Sequence, residues 1–266
     1  MTADGWVTVP LRLETDALHG GRWTSLRTAR REWLWTNPDP VVVAARSRVV
    51  PGDDFVDAGG AEECIPTVRG LPDHGDAWSR AWSQDGSVEL PGLGRLERTV
   101  TAGDGIDATY VLSGVPGTPF VHAVHALLEL SPDARLEVDA VSSVVVLDPQ
   151  PHERPWPSGL DRLGPDDGTA TCAVLQGCRQ ATVVDGDDAL TITWTAPGHE
   201  DLCSLVLWRN LRGWPAHAPY RSIGIEPMVG RLPDLGVAGP GDVVRIGQDG
   251  SLCWHLAVRA RERRAP

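Results

Sequence analysis

The sequence predicts an all-β protein, a sandwich or a large barrel of many antiparallel strands with little helix. Three observations lead there. Turn signals rich in Gly, Pro, Asn and Asp recur roughly every ten residues. The runs between them alternate apolar and polar residues with a period of two. No stretch carries an amphipathic pattern three helical turns long, and no linker divides the 266 residues into separate cores, so one domain over 1–266 is expected.

Taken in order, Gly20-Gly21 leads into a strand over 22–28, and 31–36 returns as its hairpin partner. A further strand is predicted over 41–50, where β-branched residues cluster. Residues 55–83 are rich in Gly, Pro and charge without periodicity and read as one long loop, the kind of segment that carries function. Strands follow at about 87–90, 95–101, 106–112, 120–130 and 135–146. A second Pro- and Gly-rich excursion spans 148–168. Strands resume at 171–174, 180–184, 189–194 and 202–208, and a closing hairpin turns at Gln248-Asp249-Gly250. Its last strand puts Leu252, Trp254, Leu256 and Val258 on one face.

The most informative run is residues 221–230, RSIGIEPMVG. Ile223 and Ile225 point to one side and belong in a core. Ser222, Gly224 and Glu226 point to the other. Gly224 leaves space beside the Glu226 carboxylate, and Pro227, lacking an N–H, is expected to end the ladder and leave Glu226 at the strand's exit. A carboxylate so placed suits a general base; equally, it suits a surface Glu before a loop.

Composition bounds the partners. The formal charge of −12 argues against nucleic acid and anionic membranes. Eleven Trp stand against two Tyr and two Phe, and an indole's broad apolar face with one N–H donor suits flat, half-polar ligands such as sugars, although most of these rings belong in a sandwich core. Five cysteines without a CxxC pair exclude a complete disulfide framework. The opening MTADGWVTVPLRLETD shows no signal-peptide pattern and no run is long enough for a membrane span, so a cytoplasmic protein with reduced thiols is expected. Oligomeric state is left open.

Two histidines stand out among eight. His74, in LPDHGDAW, has Gly75 to let the backbone fold tightly beside it and Asp73 to orient its ring. His125, in the apolar run FVHAVHALLEL, must find a partner or a ligand. His122 and His125 are separated by an odd number and point to opposite faces. No spacing resembles a zinc site, and neither a dinucleotide fingerprint, a P-loop nor a nucleophile elbow is present. The neighbours Glu62 and Glu63, with Asp57, do not form a glycosidase pair, because adjacent strand residues diverge.

Four segments in order resemble the aldose 1-epimerase (galactose mutarotase-like) family: GGRWTSL with REWLW at 20–35; GGAEECIP with PDHG at 59–75; HALLEL at 125–130; and IEPMVGRLPD at 225–234. The likeness spans nearly the whole chain. It implies a β-supersandwich and a reaction that interconverts the α and β anomers of an aldose, without metal or cofactor. It further implies Glu226 as general base, His125 as general acid toward the ring oxygen, and His74 as a group that places the sugar. Asp73, Glu63, Arg69, Trp78 and Trp208 are the accompanying candidates for sugar binding. Here Gly75 is followed by Asp76 and not by a second glycine, and Ala126 with two leucines follows His125, which leaves the sugar open. Arg69, Arg80, Arg221 and Arg231 are scattered among many acids, so a neutral sugar is expected over a hexose phosphate. The alternative is a non-catalytic carbohydrate-binding protein on the same fold.

Overall fold

The structure is a computed structural model that describes residues 5–139 and 141–263. In chain order its elements are β1 (Trp6–Val9), β2 (Arg12–Asp16), β3 (Arg22–Arg27), helix α1 (Pro40–Arg46), β4 (Ala61–Cys64), β5 (Ser87–Leu90) and β6 (Gly94–Ala102). There follow β7 (Ile106–Gly114), β8 (Pro119–Phe120), β9 (His122–Leu128), β10 (Arg135–Val138), β11 (Ser143–Val146), β12 (His152–Pro155) and β13 (Thr169–Gln176). The chain closes with β14 (Gln180–Asp185), β15 (Asp188–Thr195), β16 (Cys203–Trp214), β17 (Tyr220–Val229), β18 (Val244–Arg245) and β19 (Ser251–Arg263).

Two large antiparallel sheets make an all-β sandwich. One has eight strands, ordered β10-β14-β15-β19-β7-β6-β5 with β1 added to β19. The other has nine, ordered β12-β11-β13-β16-β17-β9-β4-β3-β2. Period-two alternation makes the core between them: Leu252, Trp254, Leu256 and Val258 from β19 are buried, and Ile223 and Ile225 from β17 meet the same cluster. Residues of the nine-stranded sheet with the opposite parity, among them Ala123, Val174, Val206 and Met228, build a second, smaller apolar cluster on its far face. The candidate site lies on this far face. Among the described residues, no helix is long and apolar enough to cross a membrane.

Five expectations are corrected. Residues 41–50 are not a strand: α1 starts there because Asp39 caps it, its carboxylate accepting from the Val41 N–H at 2.8 Å, and Pro40 sits in the first turn with its φ already helical. These end signals outweigh the β preference of Val41–Val43. Residues 31–36 form only isolated bridges, and β3 takes β2 as its hairpin partner instead. The long loop over 55–83 contains β4, which pairs with β9 in the middle of the nine-stranded sheet. The strand expected over 135–146 is two strands, β10 and β11, in different sheets; Ala140 lies outside the described residues.

The fifth correction concerns Pro227. It does not end β17, and Glu226 does not stand at an exit. Toward β16 the ladder continues through both, with Glu226 opposite Val206 and Pro227 opposite Leu205. Toward β9, Gly224 pairs with Leu127 and Met228 with Ala123, and the ladder opens between those pairs, where the proline has no N–H to give. The register is the same on both sides of the opening, which sets Glu226 directly across from His125.

Candidate active site

Register alone gathers the charged groups. Across the far face of the nine-stranded sheet one row runs Glu62 (β4), His125 (β9), Glu226 (β17), Val206 (β16) and Val174 (β13). Residues directly opposite on neighbouring strands share a face and lie within side-chain reach. His125 Nδ1 accordingly lies 2.9 Å from Glu226 Oε1, and the two side chains are 10% and 2% exposed. The approach is off the line of the ring N–H, so this is an ion-pair contact whose donor can turn to another acceptor. Burial pushes the His125 imidazolium toward losing its proton, but the adjacent Glu226 carboxylate, with Asp57 and Glu62 behind, prevails and raises its pKa to about 9. At neutral pH the ring carries its proton.

His125, Glu226 and Val206 of this row line a cavity of about 830 Å³. His74, His125, Glu226, Asp73, Arg69 and Trp208 all line it. His74 reaches it from a turn in which it and Gly75 both have positive φ, 58° and 74°. A side chain at Gly75 would run into the Ile65 carbonyl oxygen at 2.2 Å, so glycine is required for that close approach. The His74 ring stacks on Phe55 with centroids 3.6 Å apart and stands edge-on to His125 at 5.0 Å. Its Nδ1 lies 3.1 Å from Asp73 Oδ2. Burial would raise the Asp73 pKa, yet the adjacent His74 ring, with His125 and Arg69, holds it below the usual carboxylate value. Arg69 grips Asp148 with both terminal nitrogens, at 3.2 and 3.3 Å. Beside them, burial and then the Glu226 charge push the Cys172 thiol up to about 12, so the sulfur stays neutral.

Glu63 and Trp78 do not line the cavity. The parity of β4 puts Glu62 on the site face and turns Glu63 into the inter-sheet core, on the same side as His122. There Glu63 accepts from Arg98 Nη1 at 2.6 Å, Tyr110 OH at 2.9 Å and His122 Nε2 at 3.0 Å. The Trp254 indole can only donate, and it donates to His122 Nδ1 at 3.0 Å, which fixes His122 as the Nε2–H tautomer. Burial would raise the Glu63 pKa; the hydrogen bond from His122 and the bond and charge of Arg98 instead hold it low. Trp78 is 1% exposed: Arg46 sits over its ring, its carbonyl accepts from Arg46 Nη2, and it reaches the site only through the edge of Phe55. Arg46 also holds Glu62 through Nε and Nη2, both at 2.8 Å, so the end of α1 is clamped beside His125.

Several lining residues escape the sequence reading. Val41, Val42, Ala45, Phe55, Val56 and Asp57 come from the segment through α1, and Tyr220, Trp214 and Asp148 from elsewhere. The Asp39-Pro40 start signal announces the helix; nothing local announces that it covers a cavity. Tyr220 donates to Asp57 Oδ2 at 2.6 Å, a contact between residues far apart in the chain.

No protein-family profile and no curated protein matches the sequence. Solved structures do match the fold. A candidate aldose 1-epimerase from Escherichia coli K12 superposes with a TM-score of 0.70 at 16% identity, covering 96% of this chain and 99% of that one. A galactose mutarotase-like protein from Lactobacillus casei gives 0.67 at 16% identity, with 96% and 100% covered. A galactose mutarotase related enzyme from Lactobacillus acidophilus gives 0.63 at 11%, with 98% and 97% covered. The chain has the fold of the aldose 1-epimerase and galactose mutarotase-like proteins, and it has that fold over nearly its whole length.

Proposed function

We propose that this protein is an aldose 1-epimerase-like isomerase that interconverts the α and β anomers of a sugar by general acid–base catalysis. The observation that carries the reading is the contact of His125 with Glu226 at 2.9 Å in the lining of the cavity. The ring oxygen and the anomeric hydroxyl of an aldose are bonded to the same carbon. An acid for one and a base for the other must therefore be close neighbours, as this pair is.

Glu226 takes the proton from the C1 hydroxyl while the His125 imidazolium gives its proton to the ring oxygen. The bond from C1 to the ring oxygen breaks, C1 becomes an aldehyde carbon, and both side chains are left neutral. Rotation about C1–C2 exposes the other face of the aldehyde. The ring hydroxyl then attacks C1, its proton returning to His125 while Glu226 gives its proton to the carbonyl oxygen. His74, held by Phe55 and Asp73, hydrogen-bonds the sugar near the same oxygens and fixes its pose. The raised His125 pKa keeps the acid charged over the neutral range.

Glu226→Gln keeps the shape of the base and can still hydrogen-bond a hydroxyl, so sugar affinity should change little while the rate falls roughly 10²–10⁴-fold. His125→Asn should behave likewise. Anomer exchange followed by NMR saturation transfer, alongside calorimetric binding, measures both quantities. Binding without accelerated exchange by the wild type, across a panel of common aldoses, would make this a carbohydrate-binding protein and end the epimerase reading.

A further inference from the structure

We propose that Asp57 is a sugar-binding residue of this cavity, its Oδ1 accepting a hydrogen bond from one hydroxyl of the aldose, and that it thereby selects aldoses carrying that hydroxyl over their deoxy counterparts. This rests on the reading above for one point only, that the cavity takes a sugar.

Asp57 lines the cavity, and its two carboxylate oxygens are not equivalent. Oδ2 accepts from the Tyr220 hydroxyl at 2.6 Å. Oδ1 is buried and meets no donor among the described residues. A carboxylate oxygen kept from water without a donor is costly, so its place is explained best by a partner that arrives with the ligand. The polar groups nearby do not turn to it. The Asn37 amide donates to the Asp57 carbonyl at 2.8 Å, the Asn37 side-chain oxygen accepts from the Asp39 N–H at 2.9 Å, and the Trp208 indole N–H goes to Ser222 at 3.1 Å.

The acceptor is also held still. Asn37 fixes the Asp57 backbone, Tyr220 fixes the other oxygen, and Trp35 stacks on the Tyr220 ring with centroids 5.3 Å apart. Burial and the Asp57 charge raise the Tyr220 pKa, so the phenol keeps its proton and stays the donor. Asp57 is near enough to the reaction centre for its charge to help raise the His125 pKa. A fixed carboxylate oxygen short of one donor matches a polyol, whose every hydroxyl brings an O–H to give. A deoxy sugar would shut water out and still leave Oδ1 unpaired, and a site of that kind rejects the analogue that lacks the hydroxyl.

The test measures calorimetric Kd for D-glucose and D-galactose and for the 2-, 3-, 4- and 6-deoxy forms of each, with NMR anomer exchange on the same samples. The full chain is used as wild type, Asp57→Ala and Asp57→Ser; serine keeps an acceptor for Tyr220 but is shorter than the carboxylate. Wild type should bind at least one deoxy sugar roughly tenfold to a hundredfold more weakly than its parent, the range for a hydrogen bond to a charged group. Both variants should bind the parent more weakly by a similar factor and no longer tell the two apart. An Asp57 that merely anchors Tyr220 would weaken parent and deoxy sugars alike and leave the discrimination standing, which overturns the proposal. So does a parent Kd within twofold of wild type in Asp57→Ala, or a wild type that binds neither series. Unchanged variant Kd with fast exchange removes Asp57 and leaves the epimerase reading; lost discrimination in the variants without accelerated exchange by the wild type does the reverse. Should both variants unfold, the carboxyl-carbon NMR shift of Asp57 in the wild type decides: it should move on binding the parent and not on binding that deoxy sugar.

Discussion

Gly224→Ala is the smallest change that should disable this site while leaving the fold intact. A Cβ at position 224 would lie 2.3 Å from Glu226 Oε1 and 2.9 Å from the Trp208 Cβ. Ordinary contact begins near 3.4 Å, so the carboxylate has to retreat by roughly 1 Å. It is the flexible end of a side chain, so the protein yields there and not in the backbone. The retreat takes Glu226 off His125, and a misplacement of about 1 Å at a reacting group costs on the order of 10²-fold in rate. Stability should barely suffer: Gly-to-Ala inside a strand is itself favourable by about 0.5–1 kcal/mol, against the modest strain at Trp208. Two assays read this out. Saturation transfer should show exchange about a hundredfold slower at unchanged thermal stability. NMR titration should show the His125 pKa falling from about 9, because the adjacent Glu226 carboxylate raises it. Exchange within threefold of wild type, in a variant whose His125 pKa has dropped, would refute the assignment of Glu226 as the base.

Three further outcomes are expected. The folded-state pKa of His125 lies above its ordinary 6.5, so the stability it contributes should be complete below about pH 6.5 and be lost as pH rises through about 9; melting temperature against pH should show this in wild type and not in Glu226→Gln. Glu63→Ala leaves Arg98, 7% exposed, without its carboxylate in the core, and should cost about 3–5 kcal/mol in urea unfolding while exchange per folded molecule stays within about twofold; the reverse pattern would return Glu63 to the site. Arg69 is already tied to Asp148 and three more carboxylates, Asp57, Asp73 and Glu226, line the cavity, so glucose 6-phosphate should bind more weakly than glucose by calorimetry.

What the sequence determined by itself was whatever rests on geometry within one strand. Cβ atoms alternate along any extended chain, so Ile223 and Ile225 had to part from Glu226, and His122 from His125, before any partner strand was known. Gly224 beside Glu226 was likewise legible, because a missing Cβ leaves the same gap in every context. Local signals failed where two competed: the valines at 41–43 argued for a strand, Asp39 and Pro40 for a helix start, and the cap with its N–H acceptor won. They also failed at β4, whose four residues form a strand because β9 and β3 run alongside.

The site itself was decided by register. Nothing in the residues around Glu63 says that it faces the core, nor that its neighbour Glu62 lies opposite His125. That follows from how β4 is set against β9, just as the meeting of His125 with Glu226 follows from how β9 is set against β17. A slip of one residue in either pairing would send a whole strand's side chains to the opposite face. Register of this kind is fixed by packing a two-sided sheet against its partner and by loops closing over long spans of chain. Those are properties of the folded whole, and no local window of sequence carries them.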